Sequence, residues 1–455
     1  MKYSIFIFRR DFRIKDNNGL TFASKNFKNI IPIFIFTPEQ VSDDNKFRSN
    51  NAIQFMIESL KDLDRDLKEN GSKLHLFSGD NIKILNKISK KIDIENIVFN
   101  MDYTPYAIKR DKDISKFCKK KNINCVIIED YLLDKMGTFN KSDGDPYTVY
   151  TPFKNNVLKF KVEKPKKIKL KNFISKNNLG DTGYIKYSIN KNILVSGGRK
   201  NGKTKLNNIK NLKSYNKDRN TVSINTSQLS AYIKFGCLSI REVYWKIKEV
   251  FGNKNNLLSQ IIWREFYFYI AYYFPQVLKG KNYNEKYDKI EWNKSKTLYN
   301  KWTKGETGYP IVDAGMIEMN TTGYMHNRSR LITSNFLNRL FGYHWTVGEK
   351  YYATQLTDYD PSVNNGNWQW IASTGVDPKP YFQRLFNPWL QSEKFDPDAK
   401  YIKKWLPQLK DIPAKELHKW DKYYENYNLK EINYYKPAVD YSEARKKSVK
   451  MYTKK

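Results

Sequence analysis

Between Thr357 and Gly375 the chain reads TDYDPSVNNGNWQWIASTG. Asp358 and Asp360 stand one residue apart, Asn364 and Asn365 follow, and Trp368 and Trp370 come next. No histidine or cysteine lies among them, so the stretch offers neither an imidazole base nor a thiolate nucleophile. Amides, carboxylates and indoles do suit a flat redox ring. A flavin is tuned by partners that touch its ring nitrogens without titrating near neutral pH, and an asparagine amide is such a partner. An indole close by can hand over a single electron. The plainer reading of Trp368 and Trp370 is core packing, and on this stretch alone it stands ahead.

Other chemistries find less support. Cys118, Cys125 and Cys237 form no CxxC pair, and His75, His326, His344 and His418 show no ligand spacing, so no metal site is expected. GGRKNGKT, Gly197 to Thr204, fits the phosphate-loop pattern, with Lys203 as counter-charge and Thr204 placed for magnesium. NILVS precedes it, yet no strand–helix alternation continues after Thr204. CVIIED, the apolar run best placed to hold a metal-binding acid, lies upstream. A triphosphatase is therefore not expected.

Lys+Arg 81 against Asp+Glu 47 leaves a net charge of +34, which suits a polyanion such as nucleic acid. Codon bias towards Lys and Asn is the bland source of the same excess. It does not account as easily for Tyr 33, Phe 26 and Trp 10, which offer many surfaces for stacking. The N-terminal MKYSIFIFRRDFR has an apolar run too short for a signal peptide, and no run approaches the roughly 20 residues of a spanning helix. A soluble, cytoplasmic protein is expected, with access to nucleoid or nucleus.

The elements that position these residues fall into an α/β part followed by an all-α part. YSIFIF (3–8), IIPIFIF (30–36), KLHLF (73–77), NIVF (96–99) and NCVII (124–128) read as buried strands. NNAIQFMIESLKDLDRDLKENG between them has helical spacing and ends on Gly71, which argues a doubly wound parallel sheet. We expect this domain over 1–130. FKVEKPKKIKLKNFISKNN is lysine-rich and weakly periodic, so 131–205 reads as a long linker. Beyond it, 206–455 reads as a helical domain. SQLSAYIKFGCLSIREVYWKIKEVFG, NLLSQIIWREFYFYIAYYF and PIVDAGMIEMNTTGYMHNRSRLITSNFLNRLF are predicted helical and apolar on more than one face.

Taken in order, the motifs resemble those of DNA photolyases and cryptochromes along almost the whole chain. IFIFRRDFRIKDNNGL is similar to the family's opening strand and loop, TSQLSAYIKFGCLSIRE to its flavin phosphate segment, and WREFY to the following helix. GETGYPIVDAGM, TGYMHNRSR, NPWLQSEKFDPDAKYIKKWLP and YYKPAVDYSEAR complete the series. The resemblance implies bound FAD. Tyr215, Thr226, Ser227, Leu229 and Ser230 would then hold its phosphates and ribityl chain, at a helix start suited to pyrophosphate. N-capping is the compatible structural role of Thr226 and Ser227. Asp358 and Asp360 would flank the flavin, with Arg330 pairing Asp358. Asn364 matches the position facing the flavin N5, where plant cryptochromes carry an acid and animal ones a cysteine. Trp292, Trp345 and Trp368 match the chain of three tryptophans that carries an electron from the surface.

The resemblance further implies repair of UV-damaged DNA with the damaged pair flipped out of the duplex. Trp263 and Trp370 match the aromatic walls for the flipped bases, and helical spacing puts Gln260 on the face of Trp263. Asn327 and Arg328 would bind the lesion or its flanking phosphates. Gln260 departs from the glutamate usual in cyclobutane-dimer enzymes. A glutamine is more usual in (6-4) photolyases and animal cryptochromes, yet the paired histidines of (6-4) enzymes fall here at Asn327 and Leu331. Leu331 also replaces a methionine common in dimer-repair enzymes. Light-driven splitting of cyclobutane pyrimidine dimers is the expected activity, with a (6-4) photolyase or a cryptochrome-type sensor as alternatives. The sequence stops soon after DYSEARKKSVKMYTKK, leaving no room for the signalling tail common in sensors. A deazaflavin, a second flavin or no antenna chromophore are the alternatives left, because the carboxylate that folate-type antennas use falls at Ala107. A monomer is the expected state.

Overall fold

A computed structural model describes residues 1–377 and 380–453. β1 (Lys2–Ile7), β2 (Ile30–Phe36), β3 (His75–Ser78), β4 (Asp93–Asn100) and β5 (Asn124–Ile128) form one parallel sheet in the order β3-β2-β1-β4-β5. The continuous apolar run of β2 follows from burial along its whole length, as in sheets covered on both faces. Helices Asn18–Asn26, Asn50–Lys68, Asn81–Ser89 and Pro105–Lys120 make the crossovers. Ser49 starts the Asn50–Lys68 helix, its side chain accepting from the Ala52 amide. That helix closes at Lys68, short of Gly71, which holds φ +77 in the turn beyond.

One face of the sheet packs Ile5, Ile33 and Ile97 against Leu85, Ile88 and Ile114. On the other, Phe6, Phe34 and Val98 join a cluster that continues through Tyr131, Phe139 and Phe153 to Phe235 and Phe266. The segment 131–205 thus contributes to the core as well as crossing the surface, and it carries helices Tyr150–Val157 and Arg199–Asn208. The phosphate-loop pattern lies at the start of the second of these. Its amides are already taken: Gly197 N donates to Glu58 Oε2 at 2.6 Å and Gly198 N to Ser59 Oγ at 2.9 Å. Arg199 pairs with Glu242 at 2.7 Å, and Ile193–Ser196 forms no strand. A carboxylate in the cradle excludes phosphate there.

From Ser230 onward the described residues form helices joined by loops, with no strand among them. Ser239 and Glu242 form a reciprocal cap at the start of Ile240–Phe251, and Asn256–Tyr273 follows. The stretch from Pro310 to Phe341, predicted helical, is divided into separate helices. Pro310–Thr322 ends on Gly323 at φ +67, and Asn327–Asn335 restarts with His326 Nδ1 accepting from the Arg328 amide at 3.0 Å. Trp345–Gln355, Pro361–Ala372 and Tyr441–Thr453 complete the frame around the site. The two halves touch at Gly236, φ +65, where a Cβ would lie 2.1 Å from the Arg10 carbonyl oxygen. No helix among the described residues is long and apolar enough to cross a membrane.

Candidate functional site

A cavity of about 460 Å³ opens among the helices, a size suited to an organic ligand. Tyr215, Thr226, Ser227, Leu229 and Ser230 line one part of it; Gln260, Trp263, Asn327, Arg328 and Trp370 line another. Arg330, Asp358, Asp360, Asn364 and Trp368 also border it. Of the residues singled out above, Trp345 and Trp292 stand behind its wall.

The local structure explains the placements. Thr226 to Ser230 lead into the short helix Ser230–Lys234, which leaves the Thr226, Ser227 and Ser230 hydroxyls at the cavity edge. Ser230 Oγ donates to Asp358 Oδ2 at 2.6 Å, and Arg330 meets the same carboxylate at 2.9 and 3.1 Å. Asp360 caps Pro361–Ala372 by accepting from Ser362 and Val363 amides at 3.0 and 3.2 Å. Arg10, from the sheet half, pairs with Asp360 from the other side. Both aspartates therefore have their charge met by an arginine before any ligand arrives.

Asn364 lies in the first turn of Pro361–Ala372, and Trp368 and Trp370 follow one and nearly two turns later. The Asn364 amide donates to the Glu349 carbonyl at 3.2 Å. Glu349 is buried beside it, and burial pushes its carboxyl up to about 7, with a hydrogen bond from the Asn364 side chain acting the other way. Trp368 is 2 % exposed, and its Nε1 has no hydrogen-bond partner. Behind it, Gly348 lets the Trp345–Gln355 helix close on the ring: a Cβ there would lie 2.1 Å from Trp368 Cη2. Trp345, at the start of that helix, donates to Asn282 Oδ1 at 2.7 Å. His344 joins it to half-buried Trp292, with ring centroids 5.3 Å apart on each side. Trp368 thus borders the cavity, while buried Trp345 and half-buried Trp292 are joined through His344.

At the mouth, Asn327 is exposed and Arg328 lies over Phe395 at 4.2 Å, donating to Asn220 Oδ1 at 2.7 Å. Several lining residues were not anticipated, among them Tyr131, Lys234, Arg264, Tyr267 and Tyr324. Burial, and then the charge of Arg10, push Lys234 down to about 7. Tyr267 stands one turn beyond Trp263 and was readable from helical spacing. Tyr131 arrives from the connecting segment and carried no signal. A second cavity, of about 360 Å³, lies in the sheet half against Met101, Ile108 and Ile127.

Hydroxyls beside an arginine, an apolar and aromatic floor, and a buried indole N–H without a partner fit a flat ring system joined to a phosphate-bearing chain.

Comparison with known proteins points the same way. Residues 257–454 match the model for the FAD binding domain of DNA photolyase, and residues 4–169 match that for DNA photolyase. A deoxyribodipyrimidine photo-lyase of Buchnera aphidicola subsp. Acyrthosiphon pisum is 31% identical over 99% of this chain and 97% of its own length. Among solved structures, an archaeal photolyase from Sulfolobus tokodaii with two FAD molecules is 37% identical, with a TM-score of 0.87 and 99% of each chain covered. A bacterial class III photolyase from Agrobacterium tumefaciens is 29% identical, with a TM-score of 0.89 and coverage of 99% and 97%.

Proposed function

The chain belongs to the DNA photolyase family, and from that premise we infer that it is a deoxyribodipyrimidine photo-lyase, splitting cyclobutane pyrimidine dimers in DNA with light and FAD. One observation carries the reading: the residues expected to hold flavin and those expected to hold the lesion border a single cavity. The cofactor would then stand within reach of its substrate.

Thr226, Ser227 and Ser230 present hydroxyls to the phosphates and ribityl chain, while Tyr215 and Leu229 wall that end. Arg330 supplies the positive charge, held in place by Asp358. Asn364 gives the ring a neutral amide, steadied by the Glu349 carbonyl, and has no proton to release. Asp360, tied to Arg10 and to its own helix start, fixes the backbone from which Asn364 projects. When bound and reduced, FAD supplies the light-driven electron that opens the dimer. Trp292, Trp345 and Trp368 provide the route by which the cofactor is reduced from the surface.

The flipped dimer sits between Trp263 and Trp370, Gln260 donates to a pyrimidine carbonyl, and Asn327 and Arg328 receive the lesion or its flanking phosphates. The protein works as a monomer in the cytoplasm. A second, light-harvesting chromophore would show as an absorption band beyond that of one FAD in the purified protein.

The test uses photoreduced protein on two oligonucleotides, one with a single cyclobutane thymine dimer and one with a (6-4) product, each lit and dark. Light-dependent loss of the cyclobutane dimer alone is the expected result. Repair of the (6-4) product would reassign the lesion. No repair of either by flavin-loaded protein would replace the repair reading with that of a light sensor.

A further inference from the structure

The two indoles that border the lesion end of the cavity are each backed from outside it. The Tyr150 ring lies parallel to Trp263, with centroids 3.6 Å apart and planes 7° from parallel. Its hydroxyl donates to the Ser259 carbonyl at 2.8 Å, one turn back on the Trp263 helix. The Arg384 guanidinium lies 3.9 Å from the centroid of Trp370. Arg384 also donates to the Trp370 carbonyl and, at 2.6 Å, to that of Asp377. Trp263 and Trp370 line the cavity, whereas Tyr150 and Arg384 do not. Each backing group therefore stands behind its indole.

The two backings meet at Asp377. The Tyr150 amide donates to Asp377 Oδ1 at 3.3 Å, and the Asp377 amide donates to the Thr148 carbonyl at 2.9 Å. Its Oδ2 lies 4.0 Å from Arg384 Nη2. Asp377 holds φ +54, a left-handed conformation that a non-glycine residue keeps only where its surroundings impose it. Tyr150 belongs to the helix Tyr150–Val157 of the connecting segment, so this tie joins that segment to both indole-bearing helices.

We propose that Tyr150, Asp377 and Arg384 form a brace that sets the gap between Trp263 and Trp370 and so selects the flipped pyrimidine dimer that fits between them. The inference rests on Trp263 and Trp370 being the lesion walls. An indole on a single helix turns about two side-chain torsions. A parallel stack or a guanidinium against one face removes that freedom and leaves the other face ready for a planar base. Preset walls spare the ordering cost on binding. All three are positioning residues; none need touch the lesion.

The experiment measures dark binding of flavin-loaded protein to a duplex carrying one cyclobutane thymine dimer and to its undamaged twin, followed by KM and kcat of repair. Tyr150→Leu and Arg384→Met are each expected to weaken dimer binding about 5- to 10-fold, the scale of one stacking contact, without changing affinity for undamaged duplex. The loss falls on KM more than on kcat, and Tyr150→Phe, which keeps the ring, restores affinity. The double variant loses less than the product of the single losses, because both act on one gap. Should Arg384→Met fail to fold, Tyr150→Leu against Tyr150→Phe and Asp377→Asn decide the matter. Wild-type dimer affinity in both Tyr150→Leu and Asp377→Asn would overturn the brace while leaving the repair reading intact. A wild-type protein that does not distinguish the dimer from undamaged duplex would instead sink both.

Discussion

Gln260 lines the cavity one turn before Trp263 on the same helix. As an amide it can donate to a pyrimidine carbonyl whatever the pH. Gln260→Ala is expected to lower repair of a cyclobutane dimer about 5-fold, the worth of one hydrogen bond of about 1 kcal/mol. Gln260→Glu is expected to repair at or above the wild-type rate; a complete loss would show that the amide N–H is indispensable. Glu349 makes a prediction of another kind. Burial raises its carboxyl from 4.5 to about 7, so the folded protein holds a proton there that the unfolded chain releases. The stabilisation is full below pH 4.5 and is lost as pH rises through 7, amounting to about 3 kcal/mol. Denaturant titrations of the flavin-loaded protein between pH 5 and 8 read this directly. Glu349→Gln should flatten that part of the profile, and an unchanged profile would remove Glu349 as its source.

Between elements, close approach matters more than any single hydrogen bond. The Trp345–Gln355 and Pro361–Ala372 helices meet at Gly348, where an added Cβ would lie within 2.1 Å of the Trp368 ring. Gly348→Ala is therefore expected to cost about 1–3 kcal/mol through overpacking, and to slow photoreduction of the bound flavin by displacing Trp368. Unaltered stability and photoreduction together would show that the helices have room to part. The same elements show what can be read from residues alone. β2 and β5 were legible because short apolar runs bounded by polar residues have few other homes in an alternating chain. The break at Gly323 was not, since the flanking helices are both largely buried and no polar face marks where one axis ends. Motif order located the cavity residues on the helices. It was silent on Tyr131 and Arg10, which reach the site through tertiary packing and lie far in sequence from the residues they meet there.

The two halves share both an apolar cluster and a buried ionic knot, so the whole molecule is expected to unfold as one cooperative body. Arg241, from the helical half, meets Asp16 at 3.1 Å and Asp130 at 2.8 Å, both from the sheet half. Arg13 pairs with Asp130 and donates to the Gly236 carbonyl at 3.1 Å, and Ser239 donates to Asp16. The four charged residues are all buried, so no water is at hand to replace a missing partner. Removing one cation leaves two carboxylates facing one arginine, a loss usually worth about 3–5 kcal/mol. Arg241→Met keeps the length of the side chain and removes only its charge and hydrogen bonds. It is expected to lower the free energy of unfolding by that amount, read as a lower denaturation midpoint at unchanged slope. All ten tryptophans, Trp245 to Trp420, lie in the helical half, so indole fluorescence reports that half while far-ultraviolet circular dichroism reports both. The two signals should move together in wild type and in the variant, because a core that runs from Phe6 to Phe266 cannot come apart on one side alone. Separate transitions would mean that the sheet half and the helical half unfold independently, and that the knot orients two stable bodies instead of completing one.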